Sequence, residues 1–184
     1  MIISVTGTPG VGKTTIAKLL AGILGYDYID LKEFAVSNGL GEPYGDEIAI
    51  DVERLPEVAR EKLKGKNAVV DGHLSHLIPS DVVIVLRTNP RVLGERLTER
   101  GYPRSKVADN VEAELIDLIL VEALEFNKRV IEIDTTGKEP ETVVNEILNL
   151  LNENTERRVG VVDWSRYYDE VVKYLHVRGE NENQ

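Results

Sequence analysis

Residues 7–15 read Gly-Thr-Pro-Gly-Val-Gly-Lys-Thr-Thr, preceded by the apolar run Ile2 to Val5 and followed by Ile16, Leu19, Leu20, Ile23 and Leu24 at helical spacing. A turn this rich in glycine, set between a strand and a helix, brings backbone N–H groups inward without side-chain clashes. That is the requirement for cradling the crowded oxygens of a polyphosphate. The spacing places Lys13 on the β- and γ-phosphates as a point charge and the Thr14 hydroxyl on Mg²⁺. The positive end of the following helix faces the same anion.

The rest of the chain alternates strand and helix signals. Gly25 ends the first helix, Tyr26 to Asp30 reads as a second strand, and Leu31 to Val36 as a short helix. Residues 38–45, rich in glycine and containing Pro43, read as a mobile loop. Asp51 then caps a helix bearing Val52, Leu55, Val58, Ala59 and Leu63, so residues 31–63 look like a small helical insertion. Ala68 to Val70 form a third strand ending at Asp71. Val82 to Leu86 is an unbroken apolar run, the pattern of a parallel strand buried on both faces. Pro90 starts a helix that Gly101 closes, and after a brief excursion over Tyr102 to Ser105 one long helix is expected from Val107 to Glu122. Val130 to Asp134 gives a fifth strand, and Pro140 opens a helix that carries Val143, Val144, Ile147, Leu148 and Leu151. Asn152 to Arg158 reads as a linker, Val159 to Val177 as an extension containing Trp164, Tyr167, Tyr168 and Tyr174, and Arg178 to Gln184 as a flexible tail.

Five strands alternating with helices imply an α/β domain of the P-loop NTPase class, with a five-stranded parallel sheet covered on both faces. Right-handed crossovers align the strand ends Thr6, Asp71 and Arg87 along one carboxyl edge, where ligands of such sheets bind. A length of 184 residues suits one such domain and is short for two. The absence of Cys excludes a disulfide framework and thiolate metal sites. Met1 leads directly into the first strand with no signal-peptide pattern, and no apolar run approaches the roughly 20 residues of a membrane span, so a cytoplasmic protein without membrane contact is expected. The formal net charge of −10 argues against binding bare DNA or RNA and favours a basic protein partner. A charged fraction of 29% with a single Met leans towards a thermophilic source.

Several residues are placed to do chemistry. Asp71 ends the third strand, where the carboxylate that holds the Mg²⁺ water shell is commonly found; the alternative is a cap on the next turn. His73, two residues on, either faces the γ-phosphate or an attacking water as a base or is a hydrogen-bonded structural histidine. With His76 it has the spacing of a metal pair, but no third ligand stands out. Arg100, followed by Arg104 and Lys106, either closes over the triphosphate as a cationic finger or stabilises a helix C-terminus. Arg54 and Arg87 are candidates for binding a second phosphate, Arg54 equally for surface ion pairing. Lys138, in the turn after the fifth strand, is placed near the adenine.

Taken together, Gly7 to Thr15, Asp71-Gly72-His73, Val85-Leu86-Arg87-Thr88 and the pattern Arg100-Gly101-Tyr102, Lys106, Asn110, Glu114 resemble the adenylate kinase isoenzyme 6 family, over Met1 to about Leu151. The resemblance implies an ATP site formed by Gly10, Gly12, Lys13, Thr14, Thr15, Arg100 and Lys138, with Mg²⁺ at Thr14 and Asp71. It further implies catalytic roles for Lys13, Asp71, His73 and Arg100. An NMP-binding region would span residues 30–53, with Asp30 among the substrate-binding residues, and a short lid residues 98–108. Val36 stands near where other members carry an arginine. Family members are nucleoside monophosphate kinases with ATPase activity. They are implicated in small ribosomal subunit maturation through a small-subunit ribosomal protein. Two functions therefore follow as expectations: reversible phosphoryl transfer from MgATP to AMP or another NMP, and ATP hydrolysis that switches the grip on a basic ribosomal protein.

Overall fold

The computed structural model describes residues 1–45 and 47–175, so the tail expected over residues 178–184 and the last two residues of the extension lie outside the described residues. The chain begins with strand β1 (Ile2–Thr6), the phosphate loop and helix α1 (Lys13–Leu24), followed by β2 (Asp27–Asp30) and α2 (Leu31–Ser37). An antiparallel hairpin, β3 (Gly41–Tyr44) and β4 (Glu47–Ile50), leads into α3 (Leu55–Lys62) and β5 (Ala68–Asp71). A 3₁₀ turn at Ser75–Leu77 precedes β6 (Val82–Arg87), α4 (Pro90–Glu99), α5 (Arg104–Leu115) and α6 (Leu118–Phe126). The chain continues through β7 (Val130–Asp134), α7 (Pro140–Asn152) and β8 (Arg157–Arg158) to α8 (Tyr168–Leu175).

The main sheet runs in the order β2-β5-β1-β6-β7-β8, with every pairing parallel. Every residue of β1, β5 and β6 is buried, as expected for strands covered on both faces. Alternation sorts their side chains. Ile3, Val5, Ile84 and Leu86 join α1, α4, α5, α7 and α8 in one core, whereas Ile2 and Val70 meet α2 and α3 on the opposite face. Val83 and Val85 pack there against Leu120 and Ala123 of α6. No helix among the described residues is long and apolar enough to cross a membrane.

Three expectations need correction. The sheet has six strands, because Arg157 and Arg158, read as linker, pair with Val130 and Ile131. A backbone ladder needs only free N–H and C=O groups at an edge, so two charged residues complete it without an apolar pattern. The segment read as a mobile loop contains β3 and, with β4, forms a hairpin turning at Gly45, φ +59°, so the insertion is not wholly helical. Finally, the long helix breaks at Asp117, which takes the left-handed conformation at φ 60°. There the chain passes from the α4 side of the sheet to the opposite face.

The phosphate loop is wedged against the sheet. Gly7 has φ +139°, and a Cβ at this position would lie 2.4 Å from the Leu86 carbonyl oxygen, a backbone atom that cannot yield. Gly7→Ala is therefore expected to lower stability by at least about 1–3 kcal/mol through backbone strain, with loss of nucleotide binding. Urea unfolding alongside nucleotide titration checks this; wild-type values for both would contradict the geometry.

Candidate active site

The loop emerges from β1 and delivers Lys13, Thr14 and Thr15 as the first three residues of α1. Gly12 caps the helix at φ 99° and contributes no capping side chain, so the N–H groups of this first turn stay available to an anion. Lys13 Nζ donates to the Thr8 carbonyl at 3.1 Å. Burial lowers its pKa from 10.5 to about 8, Asp71 and Glu114 pull it upward, and the like charge of Arg100 adds to the lowering. Lys13 is thus poised to gain from a polyphosphate.

Asp71 stands next to the loop at the end of β5 and is buried. Its Oδ2 accepts from the Thr14 hydroxyl at 2.6 Å and from the Tyr28 hydroxyl at 3.0 Å. Burial, with the negative charge of Asp71 beside it, holds Tyr28 protonated well above its ordinary range. A hydroxyl and a carboxylate in contact at a phosphate loop form the hard oxygen pair that suits Mg²⁺, which takes one or two protein oxygens and leaves the remaining positions to phosphate and water. Among the described residues no group of three or more His, Asp or Glu side chains is arranged to hold an ion.

His73 lines a cleft of about 610 Å³ together with Thr8, Pro9, Lys32, Tyr102, Lys106 and Asn110, between the phosphate loop, the insertion and α5. Its carbonyl accepts from Thr6 Oγ1 at 3.0 Å. His76 is buried, with Nδ1 3.2 Å from Thr6 Oγ1 and Nε2 3.1 Å from Glu122 Oε2, and burial lowers its pKa against the pull of Glu122. Both ring nitrogens of His76 are engaged within the protein, so the His73–His76 metal pair is not formed.

Arg100 caps α4 at its C-terminus, exposed, and acts on Lys13 through its charge. One helical turn earlier, Arg96 Nη1 lies 3.5 Å from the Gly10 carbonyl. The spacing of four places both guanidinium groups on one face of α4, a signal legible in the sequence but not used there. Tyr28 carried no such signal, since a strand tyrosine is ordinarily a packing residue. Thr135, just past β7, supports the far side of the loop by donating to the Val11 carbonyl at 3.2 Å.

The remaining candidates make their contacts outside the phosphate loop. Asp30 caps α2 by accepting from Glu33 N at 2.9 Å and neighbours Asp71 in the β2–β5 ladder. Arg54 is exposed, 3.8 Å from Asp51, a separation that contributes little. Lys138 pairs with Glu146 of α7 at 3.0 Å. Arg87 must be corrected as a phosphate ligand. It is 2% exposed, and its guanidinium is bound by Glu114 at 2.8 Å, Glu132 at 2.7 Å and Asp117. The carboxylates hold its pKa up despite burial, leaving an entirely internal cation.

A protein-family profile described as AAA domain matches residues 3–117. The chain is 62% identical over 175 residues to a Thermococcus onnurineus protein named "Putative adenylate kinase", covering 95% of this chain and 97% of that one. A Pyrococcus furiosus protein of the same name is 56% identical over 180 residues, covering 98% and 100%. The chain belongs to this adenylate kinase-like family. Among solved structures, shikimate kinase from Acinetobacter baumannii in complex with shikimate superposes with TM-score 0.59 at 20% identity, covering 85% of this chain and 95% of that one. A Sinorhizobium meliloti gluconokinase gives 0.54 at 20%, covering 84% and 93%. At such identities these two carry the P-loop kinase fold alone.

Two measurements test the site. A bound polyphosphate stabilises the charged form of Lys13, so binding takes up a proton above pH 8, and MgATP affinity is expected to fall about tenfold from pH 7 to pH 9. Calorimetric titration across that range checks the slope; a flat wild-type profile contradicts the lowered pKa. Arg87→Ala strands buried carboxylates and is expected to cost about 3–5 kcal/mol in urea unfolding.

Proposed function

We propose that this protein is a nucleoside monophosphate kinase that transfers the γ-phosphoryl group of MgATP reversibly to AMP or another NMP. The observation that carries the reading is the Thr14–Asp71 contact at 2.6 Å beside Lys13, with a cleft that opens from the same loop towards the insertion and is lined by Lys32 and Lys106 as well as Asp109 and Glu122. A triphosphate on the loop and a monophosphate in the cleft would meet near Lys13. An oxygen of the acceptor phosphate then attacks the γ-phosphorus in line, the bond to the β,γ-bridging oxygen breaks, and ADP leaves with that electron pair. Lys13, Arg96 and Arg100 bind charge on the transferring group. Thr14 and Asp71 would hold Mg²⁺, which when bound neutralises charge on the β- and γ-oxygens. Lys32, Lys106 and Asn110 face the acceptor cleft, residues 30–53 form the acceptor-binding region and residues 98–108 the lid. Gly10, Gly12, Thr15 and Lys138 complete the donor site, with Asp30 and Arg54 towards the acceptor.

His73 supports a second reading. An imidazole lining the cleft beside Thr8 suits activation of water, and ATP hydrolysis so driven would let an acidic protein bind and release a basic small-subunit ribosomal protein during subunit maturation in the cytoplasm.

A coupled assay of MgATP with each common NMP, run with and without a small-subunit ribosomal protein, separates the two. The kinase reading expects ADP formation dependent on an NMP, and a loss of about 10²–10³-fold in Asp71→Asn. Phosphate release that responds only to the ribosomal protein would favour the second reading, and turnover with neither would defeat both.

A further inference from the structure

Glu114 is buried in α5 at 2% exposure, and its carboxylate gathers donors from three separate parts of the chain. Oε2 accepts from the Thr8 hydroxyl at 2.6 Å. Oε1 accepts from Arg87 Nε at 2.8 Å, Thr88 N at 3.2 Å and Trp164 Nε1 at 3.1 Å. Thr8 in turn presents its carbonyl to Lys13 Nζ at 3.1 Å. A continuous path therefore runs from the indole of the C-terminal extension through one carboxylate to the phosphate-loop lysine.

We infer that Glu114 is a positioning residue for the nucleotide site, and that the C-terminal segment 159–164 acts on the phosphate loop through it. The inference rests on the reading of the loop as a MgATP site, and concerns what sets the loop's geometry. Thr8 is 1% exposed, so its hydroxyl has no water to turn to, and the contact with Glu114 fixes both the hydroxyl and the adjoining carbonyl that receives Lys13. The same carboxylate is one of the two negative charges that favour the protonated lysine. A second tie holds the extension in place: Val161 N donates to Glu132 Oε2 at 2.8 Å, while Glu132 Oε1 binds Arg87 at 2.7 Å. Beyond it, Trp164 meets Tyr167 edge-on at 5.9 Å, and the Tyr174 ring of α8 fills the space over Gly94 of α4. The extension is thus anchored on the helix pair that carries Arg96, Arg100 and Glu114. Removing the indole N–H, or the Thr8 hydroxyl, leaves the packing and releases the loop.

Trp164 is the single tryptophan of the chain, so its emission reports the path directly. In the full-length protein, MgATP is expected to change the intensity or wavelength of Trp164 emission with the same midpoint as calorimetric binding. Thr8→Val should weaken MgATP binding about tenfold, the effect of losing a hydrogen bond to a charged group, and Thr8→Ser, which keeps the hydroxyl, should restore it to within about twofold. Trp164→Phe should raise the ATP KM several-fold. Urea unfolding of each variant guards against global damage; if Trp164→Phe fails to fold, the Thr8 pair and wild-type emission still decide. Wild-type affinity in folded Thr8→Val, or emission unmoved while calorimetry registers binding, overturns the inference and leaves the MgATP reading standing. A wild-type protein that binds no MgATP removes both.

Discussion

A guanidinium buried at the end of a central strand organises this molecule. Arg87 closes β6 with almost no exposure to solvent, and an uncompensated charge there would cost several kcal/mol. Its compensation comes from three elements: Glu114 near the end of α5, Asp117 in the turn beyond, and Glu132 in β7. The demand for those carboxylates explains otherwise arbitrary features. Asp117 reaches the guanidinium from a left-handed backbone position, which interrupts what would be one helix, and α6 then packs on the opposite face of the sheet. Glu132 stands between the buried apolar residues Ile131 and Ile133 of β7, where its carboxylate serves both Arg87 and the backbone of the extension. Formal charge in this cluster favours the carboxylates by three to one, so the N–H of Trp164, the hydroxyl of Thr8 and the nearby charge of Lys13 contribute to its balance.

Much of this architecture was legible in the chain because its signals are local. The loop glycines, the apolar run of β6 and the caps at Pro90 and Gly101 each declare their element without reference to partners. The pairing of Thr14 with Asp71 followed from a motif whose two halves are 57 positions apart but whose strand order is dictated by handed crossovers. What escaped notice depends on partners. Arg157 and Arg158 form a strand only because β7 offers an open edge. The break at Asp117 repeats no helix-breaking residue and is imposed from across the fold. Arg87 looked like a phosphate ligand because an arginine at the carboxyl edge of a parallel sheet ordinarily faces the crevice; its carboxylates come from residues 27, 30 and 45 positions away, and no short window contains them.

The same contrast separates the two kinds of basic residue. Arg87 is internal and fully neutralised, whereas Lys13 and Arg100 are close enough to oppose each other and Arg96 approaches the loop carbonyl of Gly10. This concentrates positive charge at one edge of a chain whose formal net charge is −10. A small anion carrying several charges gains from that local field, while an extended polyanion would also meet the negative balance of the rest of the chain.

Repulsion between Lys13 and Arg100 also bears on motion. Arg100 ends α4, and the chain leaves it through Gly101 at φ +76°, with Tyr102 N bonded back to the Leu97 carbonyl at 3.1 Å, before Pro103 sets the start of α5. This glycine-terminated helix end turns the chain sharply while keeping its last carbonyls bonded. The cation at its tip is repelled by the loop lysine until an anion lies between them, and attracted once it does. On the proposed MgATP reading, a triphosphate between the two cations would offset their repulsion at a helix end that is already exposed, while Glu114, farther along the following helix, would hold Thr8 on the other side of the site.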